Sequence, residues 1–237
     1  MMLKRLTLVL SILSFMLLSG CATMNGDPRD PIESLNRAIY KFNDGADRIV
    51  FKPLAKGYQA VTPDPVDKGV SNFFGNLEDV ITTINDLLQF KFSRGGSDAA
   101  RVLVNSTIGL LGLFDVASTM GLEKHDEDFG QTLGYWGVGA GPYLMLPILG
   151  PSTLRDATGR FVDTSVFDPI YYIDHIPTRN SLIGVKVVDQ RADLLGASRI
   201  LEEAALDRYN FVKESYFQQR EDAINDGELI FTDFPTY

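Results

Sequence analysis

The sequence predicts an all-helical fold built as one compact domain. Two observations support this: apolar residues recur at three- and four-residue spacing in several stretches, and no convincing run of alternating apolar and polar residues indicates a strand. No linker rich in serine, glycine or charge divides the 237 residues, which are enough to form a sizeable core. With 45% hydrophobic and 22% charged residues, the composition is that of a folded protein.

Residues 1–20 have the pattern of a secretory leader, so the fold is expected to begin after them. Lys4 and Arg5 precede an apolar run over residues 6–18. The run leads into the sequence LSGC, which resembles a bacterial lipobox, and its Cys21 is the only cysteine in the chain. The resemblance implies cleavage before Cys21 and acylation of that residue, which leaves residues 21–29 as a lipidated tether. The alternative is a free thiol at the end of an uncleaved anchor helix.

The charge balance limits the possible partners. Removal of the leader takes Lys4 and Arg5 from the 22 basic residues and no residue from the 31 acidic ones, so the formal net charge becomes −11. Such a chain is not attracted to anionic lipid or nucleic acid, so any lipid affinity must be apolar and no nucleic-acid partner is expected. Acyl chains on Cys21 would anchor it stably. Ala22 stands where a retention aspartate could have stood, which favours sorting to the outer membrane.

The first helix is predicted to begin at Asp30 as N-cap, with Pro31 in its first turn and Glu33 completing a capping-box-like pair. One face of this helix is apolar and is formed by Leu35, Ile39, Phe42 and Ala46. The other is rich in amides and carboxylates and is formed by Asn36, Tyr40, Asn43 and Asp47. Two interpretations are open. The apolar face packs in a core and the polar face is solvated, or the helix faces lipid on one side and a polar lumen on the other.

The next segments predict further helices. Prolines over residues 50–65 predict a connector or short helices, and Asn76 is predicted to cap a helix that ends at Gly95 and Gly96. Ser97 and Asp98 are predicted to start the following helix. Its uncharged run over residues 102–114 would reach about 20 Å, which is too short to cross a hydrocarbon core of about 30 Å.

The stretch over residues 129–154 contains no charged side chain, yet it cannot form a continuous helix. It contains three prolines and six glycines, which remove backbone donors and loosen the chain: Pro142, Pro147, Pro151, Gly130, Gly134, Gly137, Gly139, Gly141 and Gly150. Broken backbone in an apolar setting must be covered by protein or line a wet cavity. The stretch is therefore a buried loop or the lining of a passage.

The remaining motifs predict no catalytic site, no metal and no cofactor. The acidic segment 123–128 lacks metal-ligand spacing in a chain with two histidines, so a solvated loop is favoured. Gly137, Gly139 and Gly141 are followed by Pro142, where a dinucleotide-binding helix would have to continue. No G-x-S-x-G or P-loop motif occurs, and Ser152 is interpreted as a helix start.

Towards the carboxy terminus, Pro169 and Pro177 limit any strand in the aromatic segment 162–180. A long helical region over residues 182–225 is predicted, with an interruption at Gly196 and a closing Gly227. One stripe of it is formed by Leu201, Ala205, Tyr209, Val212 and Tyr216.

Several stretches resemble the VacJ/MlaA family of outer-membrane lipoproteins, namely residues 30–44 (DPIESLNRAIYKFND), 72–80 (NFFGNLEDV), 101–117, 127–156 and 212–221 (VKESYFQQRE). The resemblance implies a ring-like or disc-like helical domain over residues 30–227, followed by a tail over residues 228–237. It also implies that the domain is embedded in the periplasmic half of the outer membrane, encloses an amphipathic channel and associates with a trimeric porin. An acidic extension seen in some members is expected to be missing after Tyr237.

The family resemblance further implies a function and a set of site residues. The protein would remove misplaced phospholipid from the outer leaflet and pass it to a periplasmic lipid carrier, which maintains lipid asymmetry without enzymatic chemistry. The channel loop or hinge would be formed by Gly137, Gly139, Gly141 and Pro142, and the residues beside the channel would be Phe42, Asn43, Trp136 and Tyr143. A structural lipoprotein that braces porins is the alternative, and a lipid hydrolase is a third hypothesis.

Overall fold

A computed structural model describes residues 27–198 and 207–227. The predicted leader, Cys21, the tail over residues 228–237, and Leu201 and Ala205 of the carboxy-terminal stripe lie outside these residues. The described α-helices are α1 (Glu33–Ala46), α2 (Lys52–Val61), α3 (Asp64–Leu88), α4 (Phe92–Thr107), α5 (Val116–Thr119), α6 (Phe129–Tyr135), α7 (Leu154–Val162), α8 (Ile176–Asp193) and α9 (Arg208–Ile224). Within residues 27–198 and 207–227, no helix combines the length and the apolar character that a membrane span needs.

Helical turns of other kinds and one hairpin complete the described fold. Two π-helical turns, Asp47–Phe51 and Asp163–Phe167, extend α1 and α7, and a 3-10 turn spans Pro169–Tyr172. Strands β1 (Tyr143–Leu146) and β2 (Gly150–Thr153) pair antiparallel, with Tyr143 opposite Thr153. The helical prediction is thus confirmed, and the broken stretch over residues 129–154 contains a two-stranded hairpin. Strands of four residues are too short for an alternating pattern to identify them.

The predicted start of the first helix is wrong by two residues. Helix α1 begins at Glu33, and no side chain caps it. Asp30 is instead buried, and its carboxylate accepts hydrogen bonds from Asn36 Nδ2 at 2.8 Å and from the Tyr209 hydroxyl. Lys213 Nζ lies 3.4 Å from the same carboxylate. Asp30 therefore joins α1 to α9 rather than capping a helix.

The boundaries predicted for the second and third helices are also wrong. Helix α3 begins at Asp64, with Pro65 in its first turn, so Asn76 lies in its interior. It ends at Leu88, and Phe90 follows with a φ of +62°. Gly95 and Gly96, predicted as a helix end, instead lie early in α4. Helix propensity did not predict these boundaries because Gly95 is buried against Asp86 and Leu87 at the end of α3, a tertiary contact that lies outside the local pattern.

The long helices bury their polar faces and expose apolar ones. Helix α3 buries amides, carboxylates and a hydroxyl, namely Asn76, Asp79, Thr82, Asn85 and Asp86. Helix α4 buries Asp98, Arg101 and Asn105, whereas its Leu103 is 66% exposed. In α1, Asn36 is 1% exposed and Phe42 is 59% exposed. The polar face of α1 therefore lies inward at Asn36, and of its apolar face Leu35 and Phe42 are exposed while Ile39 packs against the protein.

Buried charges in this interior are held by several partners each. Arg101 donates from Nε to Asp79 at 3.2 Å, from Nη1 to the Leu122 carbonyl at 2.7 Å, and from Nη2 to Asp115 at 3.3 Å. These contacts join α3, α4 and the start of α5. A buried charge with this many partners is stable, but the loss of one partner leaves the others desolvated and uncompensated.

A small apolar cluster attaches the hairpin to α1 and α9. Tyr143, Met145 and Tyr209 form its buried centre, and the residues packed around it are Ile39, Tyr40, Val212, Tyr216 and Phe217. The Tyr143 and Tyr209 rings meet edge to face with centroids 6.2 Å apart. The carboxy-terminal stripe prediction is confirmed at Tyr209, Val212 and Tyr216, the part of it that is described.

We expect Arg101→Met to lower the free energy of unfolding by about 3–5 kcal/mol, because Asp115 loses its cation and Asp79 keeps only the more exposed Lys124, at 3.6 Å. The matched control is Leu103→Gln on the exposed face of the same helix, which should change stability by less than about 1 kcal/mol. Denaturant unfolding in mild detergent measures both. Equal losses in the two variants would contradict a polar interior as the source of stability.

Candidate functional site

A cavity of about 800 Å³ lies between α1, α3, α8, α9 and the tip of the hairpin. Part of its wall is apolar and is formed by Phe51, Ile81, Ile148, Leu149, Ile170 and Val187. Another part is acidic and is formed by Asp44, Asp47, Glu78, Asp126, Glu127, Asp128, Asp163 and Asp168. The two kinds of wall make the cavity amphipathic, and its volume is that of a site for a sizeable ligand.

The three cationic side chains in the wall are already engaged with protein atoms. Arg191 approaches the Asp47 carboxylate with Nε at 2.6 Å and Nη2 at 2.8 Å. Lys186 lies 3.1 Å from Glu78, and Arg160 donates to the Leu149 carbonyl at 3.1 Å. Since carboxylates outnumber these cations, the cavity wall has an excess of negative charge.

Two carboxyl groups of the wall have pKa values raised by their surroundings. Asp163 lies at the end of α7, and burial raises its pKa to about 6 although Asn85 and the Phe129 amide both donate to it, at 3.1 and 2.9 Å. Burial also raises the pKa of Asp126, with the nearby Glu78 acting in the same direction. Desolvation is thus the main reason that ionisation of these two carboxyl groups is disfavoured, and neighbouring acids add to it.

Two asparagines of α1 hold the hairpin against the cavity. Asn36 donates to the Tyr143 carbonyl at 3.0 Å and accepts from the Met145 amide at 2.9 Å. Two helical turns later, Asn43 donates to the Leu146 carbonyl at 2.9 Å and accepts from the Ile148 amide at 2.7 Å. Each side-chain amide therefore pairs with the backbone as a neighbouring strand would.

The tip of the hairpin supplies cavity residues that sequence reasoning missed. Ile148, held at a φ of +67°, and Leu149 are 60% and 59% exposed, and both line the cavity. A β-branched residue at positive φ is strained, and the Asn43 bond to its amide compensates for that strain. The Pro147 and Gly150 turn signals were visible in the sequence, but the direction of the tip was not.

The predicted hinge glycines lie next to the hairpin and outside the cavity wall. Gly137 and Gly141 adopt φ values of +84° and +70°, which favour glycine, and a side chain at Gly139 would meet nothing within 4 Å. The segment is bonded to the start of α7, since the Pro142 carbonyl accepts from the Leu154 amide and the Ala140 carbonyl from the Arg155 amide, each at 3.1 Å. Its role as a hinge stays a prediction.

Of the residues predicted beside the channel, Asn43 lines the cavity. Phe42, one position earlier, is 59% exposed on the other side of α1. Trp136 is half exposed and donates from its indole nitrogen to the Leu88 carbonyl at 3.2 Å. Tyr143 is fully buried in the aromatic cluster. These four residues therefore lie in three environments: Asn43 in the cavity wall, Phe42 and Trp136 on the exposed surface, and Tyr143 in the buried cluster.

The acidic segment 123–128 is a loop, as the sequence predicted, with Glu123 and Lys124 exposed, but it is not solvated throughout. Its Glu127 is 2% exposed and accepts hydrogen bonds from Gln89 at 2.8 Å, Lys91 at 2.9 Å and Arg94 at 3.1 Å. Asp128 caps α6 and also pairs with Arg220 of α9 at 2.6 Å. These long-range partners, which local sequence does not show, draw the segment into the cavity wall.

The model of the MlaA lipoprotein family matches residues 28–223, which contain the hairpin and all the described helices except the last residue of α9. The chain belongs to the MlaA lipoprotein family. Two similar relatives bear the name intermembrane phospholipid transport system lipoprotein MlaA. The Haemophilus influenzae protein is 34% identical, and the match covers 96% of this chain and 94% of that protein. The Escherichia coli protein is 36% identical, and the match covers 90% of this chain and 86% of that protein.

The MlaA fold is also supported by a solved structure from work on the structural basis for maintenance of bacterial outer membrane lipid asymmetry. It superposes with a TM-score of 0.73 at 34% identity, and the match covers 83% of this chain and 99% of that one. The family resemblance stated from the sequence is therefore confirmed, together with the predominantly helical fold.

We expect Asn43→Ala to loosen the tip of the hairpin, because it removes two hydrogen bonds worth about 1 kcal/mol each. Hydrogen exchange at the Ile148 amide should accelerate about 10- to 100-fold, while amides in the middle of α3 keep their rates. Lys41→Ala, at an exposed position of the same helix, is the control. Unchanged exchange at Ile148 in the Asn43 variant would exclude the asparagine clamp.

The raised pKa of Asp163 predicts a loss of stability as the pH rises. The folded protein holds the proton of Asp163 up to about pH 6, whereas the unfolded chain releases it near the ordinary pKa of 3.8. The stabilisation from this difference is therefore present at low pH and is lost as the pH rises through 6. Asp163→Asn should therefore reduce the drop in unfolding free energy between pH 5 and pH 8 by about 1–2 kcal/mol. The same substitution at the exposed Asp64 should leave the drop unchanged.

Proposed function

We propose that this protein is a non-enzymatic outer-membrane lipoprotein that takes misplaced phospholipid from the outer leaflet through its cavity and passes it to a periplasmic carrier. This function maintains the lipid asymmetry of the outer membrane. It is supported by membership of the MlaA lipoprotein family and by the names of the relatives, which describe intermembrane phospholipid transport.

The amphipathic cavity is the observation that supports the proposal most directly. A phospholipid needs an apolar path for its acyl chains and a polar one for its head group, and the wall offers hydrocarbon side chains and carboxylates within one space. Ile148 and Leu149 at the hairpin tip present hydrocarbon to the acyl chains. The carboxylates of α1, α3 and the 126–128 segment suit the positively charged part of a zwitterionic head group, since the wall as a whole is negative.

The outer surface supports placement of the domain in a membrane. Large apolar side chains are exposed on several elements, among them Leu35, Ile49, Leu54, Val61, Leu103, Ile108, Leu110 and Leu111. A soluble domain rarely exposes so many large apolar residues while burying amides and carboxylates. In a lipid environment, the same arrangement places hydrocarbon against hydrocarbon.

The finer parts of the proposal follow from the family resemblance and the sequence. Acylation of Cys21 would hold the domain of residues 30–227 in the periplasmic leaflet of the outer membrane, after removal of residues 1–20. A trimeric porin would contact its outer surface, and a soluble lipid carrier would receive the phospholipid. No cofactor and no nucleic acid take part in this scheme.

A structural lipoprotein that only braces porins is the second candidate, favoured by the exposed apolar surface. A lipid hydrolase is less favoured, because neither histidine of the chain, His125 or His175, lines the cavity. A brace needs no open cavity, so a test of the cavity distinguishes the first two functions.

We expect cells that lack this protein to expose more phospholipid in the outer leaflet, measured by surface labelling of lipid amines or by lipid A palmitoylation. Wild-type protein should restore the normal level, whereas Cys21→Ala should not, because the domain then lacks its anchor. Unchanged surface phospholipid in the deletion strain would reject the transport function and favour the brace.

Blocking the cavity should separate passage from bracing. With Cys21 acylated, Leu149→Cys would provide the one free thiol, and its reaction with a bulky thiol reagent should reproduce the deletion phenotype. The matched control is Lys56→Cys, labelled in the same way at an exposed position of α2. If both labelled variants restore lipid asymmetry equally, the cavity is not the path.

A further inference from the structure

Two buried carboxyl groups outside the cavity wall lie side by side without sufficient partners. Asp86 near the end of α3 and Asp98 in α4 are both 0% exposed. Neither oxygen of Asp86 and only one of Asp98 takes part in a hydrogen bond. The ion pair of Asp86 with Arg94 is long, with 3.7 Å between Oδ1 and Nε. Two desolvated carboxylates in contact repel each other, so a proton or a cation is needed between them.

His125 completes a set of ligand atoms around this space. Its Nδ1 lies 2.9 Å from Asp98 Oδ2, and one ligand atom from each of Asp86, Asp98 and His125 falls within 4.8 Å of the other two. Ligand atoms bound to one Zn²⁺ at about 2.0–2.2 Å are separated by about 3–4 Å, so these atoms need little movement to bind one ion. An imidazole nitrogen with two carboxylate oxygens suits zinc or a similar transition metal better than magnesium.

We propose that Asp86, Asp98 and His125 bind a divalent transition-metal ion, with Zn²⁺ as the ion that best fits this ligand set. Three protein ligands leave a fourth position for water. The side chain of His125 is 20% exposed, whereas both aspartates are enclosed, so the ion enters from the histidine side. The orphaned oxygens of Asp86 and Asp98 acquire the partner that they otherwise lack.

The position of the site assigns it a structural role. It joins the end of α3, the first half of α4 and the acidic segment 123–128, to which His125 belongs. The next three residues of that segment, Asp126, Glu127 and Asp128, form part of the cavity wall. A bound ion therefore fixes the acidic wall to the two long helices. This proposal concerns the structure of the segment and does not depend on lipid transport.

A single shared proton between Asp86 and Asp98 is the competing explanation of the same geometry. The two explanations differ for Asp86→Asn. An asparagine amide can donate to Asp98 in place of a shared proton, so stability would be kept. The same amide is a poor ligand for Zn²⁺ and removes a negative charge, so metal binding would be lost.

The test uses the mature full chain in mild detergent, treated with chelator and carrying an affinity tag without histidine. After ZnCl₂ is added and the excess removed, we expect about one zinc per chain by elemental analysis. Saturating ZnCl₂ should raise Tm by about 5–10 °C, whereas MgCl₂ should not. Asp86→Asn and His125→Ala should lose both the bound zinc and the rise in Tm, with folding checked by circular dichroism.

The control is His175→Ala, which removes the other histidine of the chain, bonded to Thr178 Oγ1 at 2.7 Å and outside this cluster. It should keep the stoichiometry and the shift of wild type. Absence of zinc from the wild-type chain overturns the proposal even if a variant fails to fold. Full zinc binding by Asp86→Asn overturns it as well. So does a Tm that ZnCl₂ leaves unchanged in wild type and that is the same in Asp86→Asn.

Discussion

The pairing of polar side chains between helices is the interaction on which the described fold depends. Arg101, Arg220 and Lys213 each reach carboxylates on other elements, and a row of amides and carboxylates along α3 is buried with them. Such contacts are strong only where water is excluded and every partner is present. Many large apolar side chains are left on the outside, which is the arrangement that the proposed membrane location requires.

The same interior also positions the cavity. Asn36 and Asn43 use both ends of their amides on the hairpin backbone, and Asp30 ties α1 to Tyr209 and Lys213 of α9. Arg220 ties Asp128 of the acidic segment to Asp156 of α7, and holds the pKa of Asp156 at about 2 against the effect of burial. Hairpin, acidic segment and long helices therefore meet at one space, with hydrocarbon at the hairpin tip and carboxylates opposite.

Part of this arrangement was readable from residue patterns. The helical class, the impossibility of a continuous helix over residues 129–154, and the family relationship all came from spacing, breakers and motifs, which are local properties of the chain. The boundaries of α3 and α4 were not predictable in this way, because glycines at 95 and 96 look like a helix end until their packing is known. Asp30 likewise looks like an N-cap, since two of the partners of its carboxylate, Tyr209 and Lys213, are about 180 residues away.

The sequence by itself determined that α1 has one apolar face and one amide-rich face, because a helical period alone separates them. Only the tertiary structure decided which face lies inward. Burial of Asn36 depends on strand backbone from residues 143–145, and burial of Glu127 depends on Gln89, Lys91 and Arg94. Polar side chains are stable inside only when distant partners satisfy them, and no local pattern specifies those partners.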